Sequence, residues 1–110
     1  MSGERDAVRA GDNVFAELQV DGADTELEKA QLAHAIRCVI AANGLAQAEA
    51  AKLMGTTQPK VSAIKGGRLA GFTSDRLLRY LRALECDVEV TIRRKPEGRA
   101  RGRTRVVVAL

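Results

Sequence analysis

Apolar side chains recur at helical spacing in four stretches of this chain, and residues typical of helix boundaries separate them. The first stretch runs from about Thr25 to Asn43, has acids in its first turn and stops at Gly44. One of its faces is aliphatic and carries Leu32, Ile36, Val39 and Ile40. This pattern predicts a long helix that is N-capped by Asp24 or Thr25.

The opposite face of this predicted helix carries small or neutral residues, where a solvated helix would carry charges. Its members are Ala30, His34, Cys38 and Ala41. We expect this face to be partly covered, either by the N-terminal arm or by another subunit. The N-terminal part contains a mildly apolar segment, 13–20, with Val14, Phe15, Leu18 and Val20, which fits a short helix or an extended arm.

Two shorter helices are predicted in the middle of the chain. The first covers roughly Ala46–Met54 and stops at Gly55. The second starts after Thr57 as a potential N-cap and runs to about Lys65. Pro59 lies in its first turn, where a missing N–H costs nothing.

A fourth helix is predicted from Thr73 or Ser74 to near Glu85. Leucines lie on one side of it and arginines on the other: Leu77, Leu78, Leu81 and Leu84 against Arg76, Arg79 and Arg82. The pattern then changes to the alternation of a strand over Asp87–Ile92, and a second apolar run covers 106–108. The two runs fit either a hairpin across the basic loop RRKPEGRARGR or one strand followed by a basic tail. Residues 87–92 could also pair with a second subunit.

Composition and charge narrow the function classes. Aromatic residues make up only 3% of the chain, which argues against a stacking platform for single-stranded nucleic acid. The net charge is +4, but residues 1–57 carry five Lys or Arg against nine Asp or Glu, and residues 58–110 carry thirteen against five. A basic C-terminal half is typical of a protein that binds a polyanion.

Several other classes are not expected. The sequence contains no apolar run of membrane-spanning length and no signal peptide, which predicts a cytoplasmic protein. Cys38 and Cys86 are far apart and are expected to be reduced thiols. The only histidine is His34, so we expect no metal site, no cofactor and no catalytic constellation, and hence no enzyme.

The stretch 47–64, QAEAAKLMGTTQPKVSAI, has the form of two short helices that meet at a tight turn. A small residue, Ala51, allows the helices to cross closely, and Gly55 supplies the backbone freedom of the turn. We expect Leu53, Val61 and Ile64 to face inward. The side chains left to point outward are Thr57, Gln58, Lys60 and Ser62. All of these assignments would also fit a helical domain without a DNA site.

This stretch resembles the helix-turn-helix of lambdoid phage repressors and Cro, over about residues 32–86. The resemblance implies that Gln47 holds a phosphate and braces the recognition helix, and that Gln58 reads adenine through its amide. It also implies that Thr57 touches a phosphate or a thymine methyl group. It implies as well that Lys60 and Ser62 face the groove or its backbone, and that Lys65 and Arg68, near the end of the third helix, contact phosphates. The chain departs from the family pattern at Ala46, Ala63 and Gly66, which leaves more of the specificity to DNA shape.

A broader arrangement over about residues 13–94, ending in GFTSDRLLRYLRALECDVEVTIR, is similar to the repressor-like antitoxins. We expect a homodimer, because one recognition helix alone reads few base pairs. The resemblance implies that the protein binds a double-stranded operator near its own gene and neutralises a RelE-like ribonuclease toxin. A stand-alone phage-type repressor is the alternative, and a protein-interaction module is the rival from another class.

The expected fold is therefore mainly α: a four-to-five-helix repressor-like domain with a C-terminal β-strand or hairpin. We expect an N-terminal arm at 1–24, a helix-turn-helix domain at 25–86, and a β element with a basic tail at 87–110.

Overall fold

The computed structural model describes residues 22–110, with side chains from residue 25 onward. This part of the chain contains four α-helices: α1 (Gly22–Ala42), α2 (Gln47–Met54), α3 (Gln58–Lys65) and α4 (Ser74–Ala83). Helix α1 packs against α3 and α4, and α2 packs against the same two helices. The prediction of a mainly helical fold is confirmed, while the apolar segment 13–20 lies outside the described residues.

One aliphatic core joins the helices. Its largest fully buried side chains are Ile36 from α1, Val61 and Ile64 from α3, and Leu77 from α4. The predicted stripe of α1 is confirmed, because Leu32, Val39 and Ile40 are buried as well. The two aromatic rings of this region, Phe72 and Tyr80, lie at the edge of the core with an edge-to-face geometry and centroids 6.4 Å apart.

The helix boundaries agree with the sequence except at the start of α1. This helix begins at Gly22, so Asp24 and Thr25 lie within its first turn and the prediction that either is the N-cap is wrong. The start predicted for α4, at Thr73 or Ser74, agrees with the structure: the helix begins at Ser74, and Thr73 Oγ1 caps it by accepting a hydrogen bond from Arg76 N at 3.1 Å. Leu84 closes α4.

The prediction that Leu53 faces inward is wrong, because its side chain is 50% exposed. The inward face of α2 consists of Ala50, Ala51 and Met54. In an eight-residue helix the apolar residues can be assigned to more than one face. The face with the two alanines is the buried one, because these small side chains allow α3 to approach closely.

A buried lysine ties α1 to the loop that follows α3. Lys29 Nζ donates hydrogen bonds to the carbonyl oxygens of Leu69, at 3.3 Å, and Phe72, at 3.1 Å. The ammonium also pairs with the exposed carboxylate of Glu26. A buried cation needs such partners, and here they fix the path of the chain between α3 and α4.

The C-terminal part contains no strand among the residues described, so the predicted C-terminal strand or hairpin is not found. Residues 104–106 bind the amide of Gln31 on α1 instead: Val106 N donates to Oε1 at 2.6 Å, and Nε2 donates to Thr104 O at 3.3 Å. Val106 and Val108 pack against the core. Since this run lies on α1, it does not form a hairpin with 87–92.

The small-residue face of α1 is largely open in the described chain. Ala30, His34 and Ala41 are exposed, and Cys38 is half-buried with its sulfur 3.5 Å from His34 Nε2. Leu27, next to this face, is also exposed. Both cysteines are free thiols. Among the described residues, no helix is both long and apolar enough to cross a membrane.

Candidate nucleic-acid interface

The turn between α2 and α3 is built by Gly55, which adopts the left-handed conformation with φ +73°. Its amide donates to Lys52 O, and Thr56 N donates to Ala51 O at 2.9 Å, so the last carbonyls of α2 are satisfied. Tyr80 of α4 supports the turn through a hydrogen bond from its hydroxyl to Thr56 Oγ1, at 3.4 Å. These contacts fix the angle at which α3 leaves α2.

Helix α3 buries one face and exposes its first turn. Val61 and Ile64 are fully buried, which confirms their predicted inward orientation. Thr57 is the N-cap residue, although its side chain makes no capping hydrogen bond, and Pro59 lies in the first turn. Thr57, Gln58 and Lys60 are exposed, and Ser62 is half-buried. The side chains predicted to read the groove are therefore accessible to a ligand.

The far end of α3 is held by Arg37 of α1, which sequence reasoning missed. Arg37 Nη1 donates to Ile64 O at 3.2 Å, and a cation near the C-terminus of a helix is favoured by the helix dipole. The two predicted phosphate-binding residues, Lys65 and Arg68, are both exposed beyond this contact. Arg68 folds back over Gly66, so a side chain introduced at position 66 would meet the guanidinium group of Arg68.

Gln47 is the first residue of α2 and is half-buried. The first amides of a helix have no partner within the helix and can bind an anion. Ala46, which departs from the usual capping Ser or Thr, has no side-chain acceptor, but its own amide donates to Glu49 Oε1 at 2.8 Å. Glu49 thus stabilises the start of the helix from within its first turn.

A shallow open groove of about 390 Å³ lies between α3 and the loop leading to α4. Its apolar floor is combined with three cationic side chains, those of Lys60, Arg68 and Arg76. The remaining lining residues are Pro59, Ala63, Ala70, Gly71 and Phe72. The lining includes no acidic residue, so the groove presents a positive surface beside the first turn of α3.

Arg76 was missed as a site residue because its sequence position, on the polar side of α4, fits a solvated arginine. Its guanidinium carbon lies 5.8 Å from the centroid of the Phe72 ring and 5.9 Å from that of Tyr80. Cation–π contacts of this kind contribute about 0.5–1 kcal/mol at exposed sites. They orient a side chain that is half-buried and borders the groove.

The arrangement is suited to binding an extended anion. Lys60 lies in the exposed N-terminal turn of α3, Arg68 in the loop after it and Arg76 on α4, so three elements bring their cations to one groove. In the described chain, no three His, Cys, Asp or Glu residues come together in a way that could hold a metal ion.

Comparisons with known proteins agree with this geometry. A solved structure of a protein assigned to the XRE family of transcriptional regulators matches with a TM-score of 0.74 and 45% sequence identity, covering 80% of this chain and 99% of that one. A search of curated proteins found no match. The family model described as "Helix-turn-helix domain" matches residues 14–93. Because this match spans most of the sequence, the chain belongs to the helix-turn-helix domain family.

Proposed function

We propose that this protein is a transcriptional regulator that binds double-stranded DNA in a sequence-specific manner. The observation that carries the proposal is the exposed first turn of α3, with Thr57, Gln58 and Lys60 accessible while Val61 and Ile64 anchor the helix. In a helix-turn-helix, the N-terminal end of the motif's second helix, which is α3 here, enters the major groove and reaches base edges. The similarity to the XRE-family regulator supports the same function.

The roles we propose for the site residues follow from where they lie. Gln58 is in the first turn of α3 and would pair with adenine through its amide, while Thr57 and Ser62 would contact the groove or its backbone. Cationic residues at the groove and at the end of α3 would bind phosphates, as would the start of α2. These phosphate contacts are Gln47, Lys60, Lys65, Arg68 and, added from the structure, Arg76.

Selection of duplexes from a random-sequence pool tests this function directly. We expect the protein to enrich a defined motif and to bind the enriched duplex about 10³-fold or more tightly than a random duplex of equal length. Binding without any enrichment would contradict sequence-specific recognition. Enrichment of single strands instead of duplexes would point to another class of nucleic-acid binding.

We further propose that the protein acts as a homodimer. One recognition helix contacts few base pairs, and dimers of this fold bind two half-sites. Val88, Val90 and Ile92 support a dimer, because they are 36, 78 and 87% exposed and lie in a stretch with the alternation of a strand. An exposed segment of this kind is expected to pair with another chain, and the second copy is the partner we propose.

An antitoxin role, with autorepression of its own operon, is our more specific proposal. The chain's N-terminal half carries a net charge of −4, which complements a basic ribonuclease toxin of RelE-like type. The open face of α1 around Leu27 and Ala30 is accessible for such a partner. A surface outside the helix-turn-helix would let toxin and DNA bind together.

Co-purification with the product of the neighbouring gene tests the antitoxin role. We expect Phe15→Asp to weaken neutralisation of that toxin and to leave operator binding nearly unchanged, whereas Phe15→Leu should preserve both. If no partner co-purifies while the operator is still bound, the protein is a stand-alone regulator. Loss of DNA binding in Phe15→Asp would assign the segment to the DNA-binding core or the dimer.

A further inference from the structure

We infer that the arginine-rich segment 93–105 is a second site for duplex DNA, which binds the phosphate backbone outside the groove that α3 occupies. We call this segment the basic arm. The inference rests on the proposed function and adds to it a contact that does not belong to the helix-turn-helix. The basic arm lies outside the contacts assigned above, which all come from residues 47–76.

The charge of the basic arm is concentrated and accessible. Its thirteen residues contain seven Lys or Arg and a single acid, Glu97, giving a net charge of +6. Arg99 is half-buried and the other six cations are exposed. Because the whole chain has a net charge of only +4, this segment dominates the positive field of the protein.

The basic arm is anchored to the folded domain at its C-terminal end, and the chain before it is anchored at Cys86, seven residues upstream of Arg93. Leu84 is buried and Cys86 packs against the core, whereas residues 87–92 are exposed. At its end, the Gln31 amide binds Thr104 O and Val106 N, and Val106 packs against the core. A charged segment whose far end is bound to the domain loses less conformational entropy on binding than a tail with a free end does. It also stays at a defined place relative to α1.

The local chemistry of the basic arm suits close approach to a phosphate backbone. A turn at its centre is marked by a hydrogen bond from Arg99 N to Pro96 O at 3.5 Å, and Gly98 has φ +91°. Beyond the turn, Arg99, Arg101 and Arg103 alternate with Ala100 and Gly102. The arginine heads can bind phosphate oxygens in a bidentate manner, and the small residues between them let the backbone approach.

Duplex DNA fits the basic arm better than an acidic protein surface does. Residues 93–105 contain no aromatic and no large aliphatic side chain, whereas the buried core of a protein interface is largely apolar. Phosphate contacts need only charge and reach. The six residues after the turn, 100–105, could span up to about 20 Å, more than the roughly 12 Å width of a major groove.

The salt dependence of DNA binding measures how many phosphates the protein neutralises. The test compares Arg94→Gln/Arg99→Gln in the basic arm with Arg79→Gln/Arg82→Gln on the outer side of α4, which removes the same charge. Full-length proteins bind a random-sequence duplex of about 30 base pairs, roughly three helical turns. Affinity is recorded over a series of potassium chloride concentrations. The same measurement is made on the duplex that wild type enriches.

We expect the arm variant to lower the slope of log affinity against log salt by about two units on both duplexes, and the α4 variant to leave it nearly unchanged. An unchanged slope in the arm variant, or an equal fall in both variants, would overturn the inference. So would arm-dependent binding that favours a single strand of equal length. If wild type binds both duplexes equally, sequence-specific recognition fails, yet the slope on the random duplex still decides whether the basic arm binds DNA.

Discussion

Two cations that never touch the proposed ligand set the geometry of the interface. Lys29 donates to the carbonyl oxygens of Leu69 and Phe72, and Arg37 donates to Ile64 O. The two contacts of Lys29 hold the loop that carries Arg68, and the contact of Arg37 holds the end of α3. Both cations are positioning residues, because they act on the site through the backbone of the elements they bind.

Replacing Lys29 by Met should destabilise the protein by about 1.5–3 kcal/mol, since charge-assisted hydrogen bonds to buried carbonyls are lost. Glu26→Gln is the matched control: its carboxylate pairs with the same ammonium but is exposed, so the change should cost less than about 1 kcal/mol. Urea unfolding monitored by circular dichroism measures both. Equal losses in the two variants would show that the ion pair, rather than the carbonyl contacts, stabilises this region.

Arg68→Ala and Arg76→Ala should each weaken binding to all duplexes alike, because phosphate contacts carry no sequence information. Each should lower the salt slope by about one unit. Arg82→Ala, on the solvent side of α4, is the control with no expected change. A change in base preference in either variant would instead place that arginine at a base edge.

The limits of prediction at this scale are physical. The hydrophobic repeat is local, so it identified Ile36, Val61 and Ile64 as core residues. The contacts of Lys29 join residues that are 40 and 43 positions apart, and no pattern in a short window contains such a pair. Arg76 was missed for a different reason: the rings that orient it, Phe72 and Tyr80, lie only four residues away on either side, but its place on the polar side of α4 also fits a solvated arginine.

At the scale of elements, the glycine between α2 and α3 determines the helix-turn-helix angle. Gly55 has φ +73° and no atom lies within 4 Å of where a side chain would begin, so a substitution there is opposed by backbone strain and not by a clash. The same residue was recognisable in the sequence, because a glycine directly after an apolar helix is a common stop signal.

Gly55→Ala should therefore destabilise the protein by about 1–2 kcal/mol. Gly55→Asn should cost less, because asparagine tolerates the left-handed conformation better than alanine does. Thermal or urea unfolding of the two variants gives the comparison. If Ala and Asn cost the same, the strain argument fails and some other property of the turn is responsible.

The prediction of a C-terminal strand also failed at the scale of the element, because a strand depends on a partner segment. Alternating apolar residues at 88, 90 and 92 favour a strand, but a strand needs a partner for its backbone. The nearest candidate in the chain, 104–108, is held by Gln31 instead. Sequence alternation indicates the tendency to pair and says nothing of where the partner lies.

If residues 87–92 pair with a second copy of the chain, Val90→Asp should dissociate the dimer, while the neighbouring change Thr91→Asp should not. The two substitutions add the same charge to adjacent exposed positions, but only Val90 belongs to the apolar side of the alternation. Light scattering over a range of protein concentrations reports the mass. An intact dimer in both variants would move the dimer interface elsewhere, and the open face of α1 would be the next surface to test.

At the scale of the whole molecule, the charge is divided along the chain. Residues 1–57 are acidic and residues 58–110 are basic, and the basic half includes α3, the groove beside it and the basic arm. This division was readable from the sequence and agrees with a polyanion bound on the C-terminal half. The groove itself was not readable, since it arises where the loop before α4 packs beside α3.

In the proposed function, the first turn of α3 determines which DNA sequence is bound. Repeating the duplex selection with Gln58→Ala tests it most directly. We predict the wild-type motif with preference relaxed at one base position per half-site, and a loss of about 1–3 kcal/mol on the wild-type duplex. An unchanged motif, or a loss of affinity that is equal on every sequence, would contradict the assignment of α3 as the recognition helix.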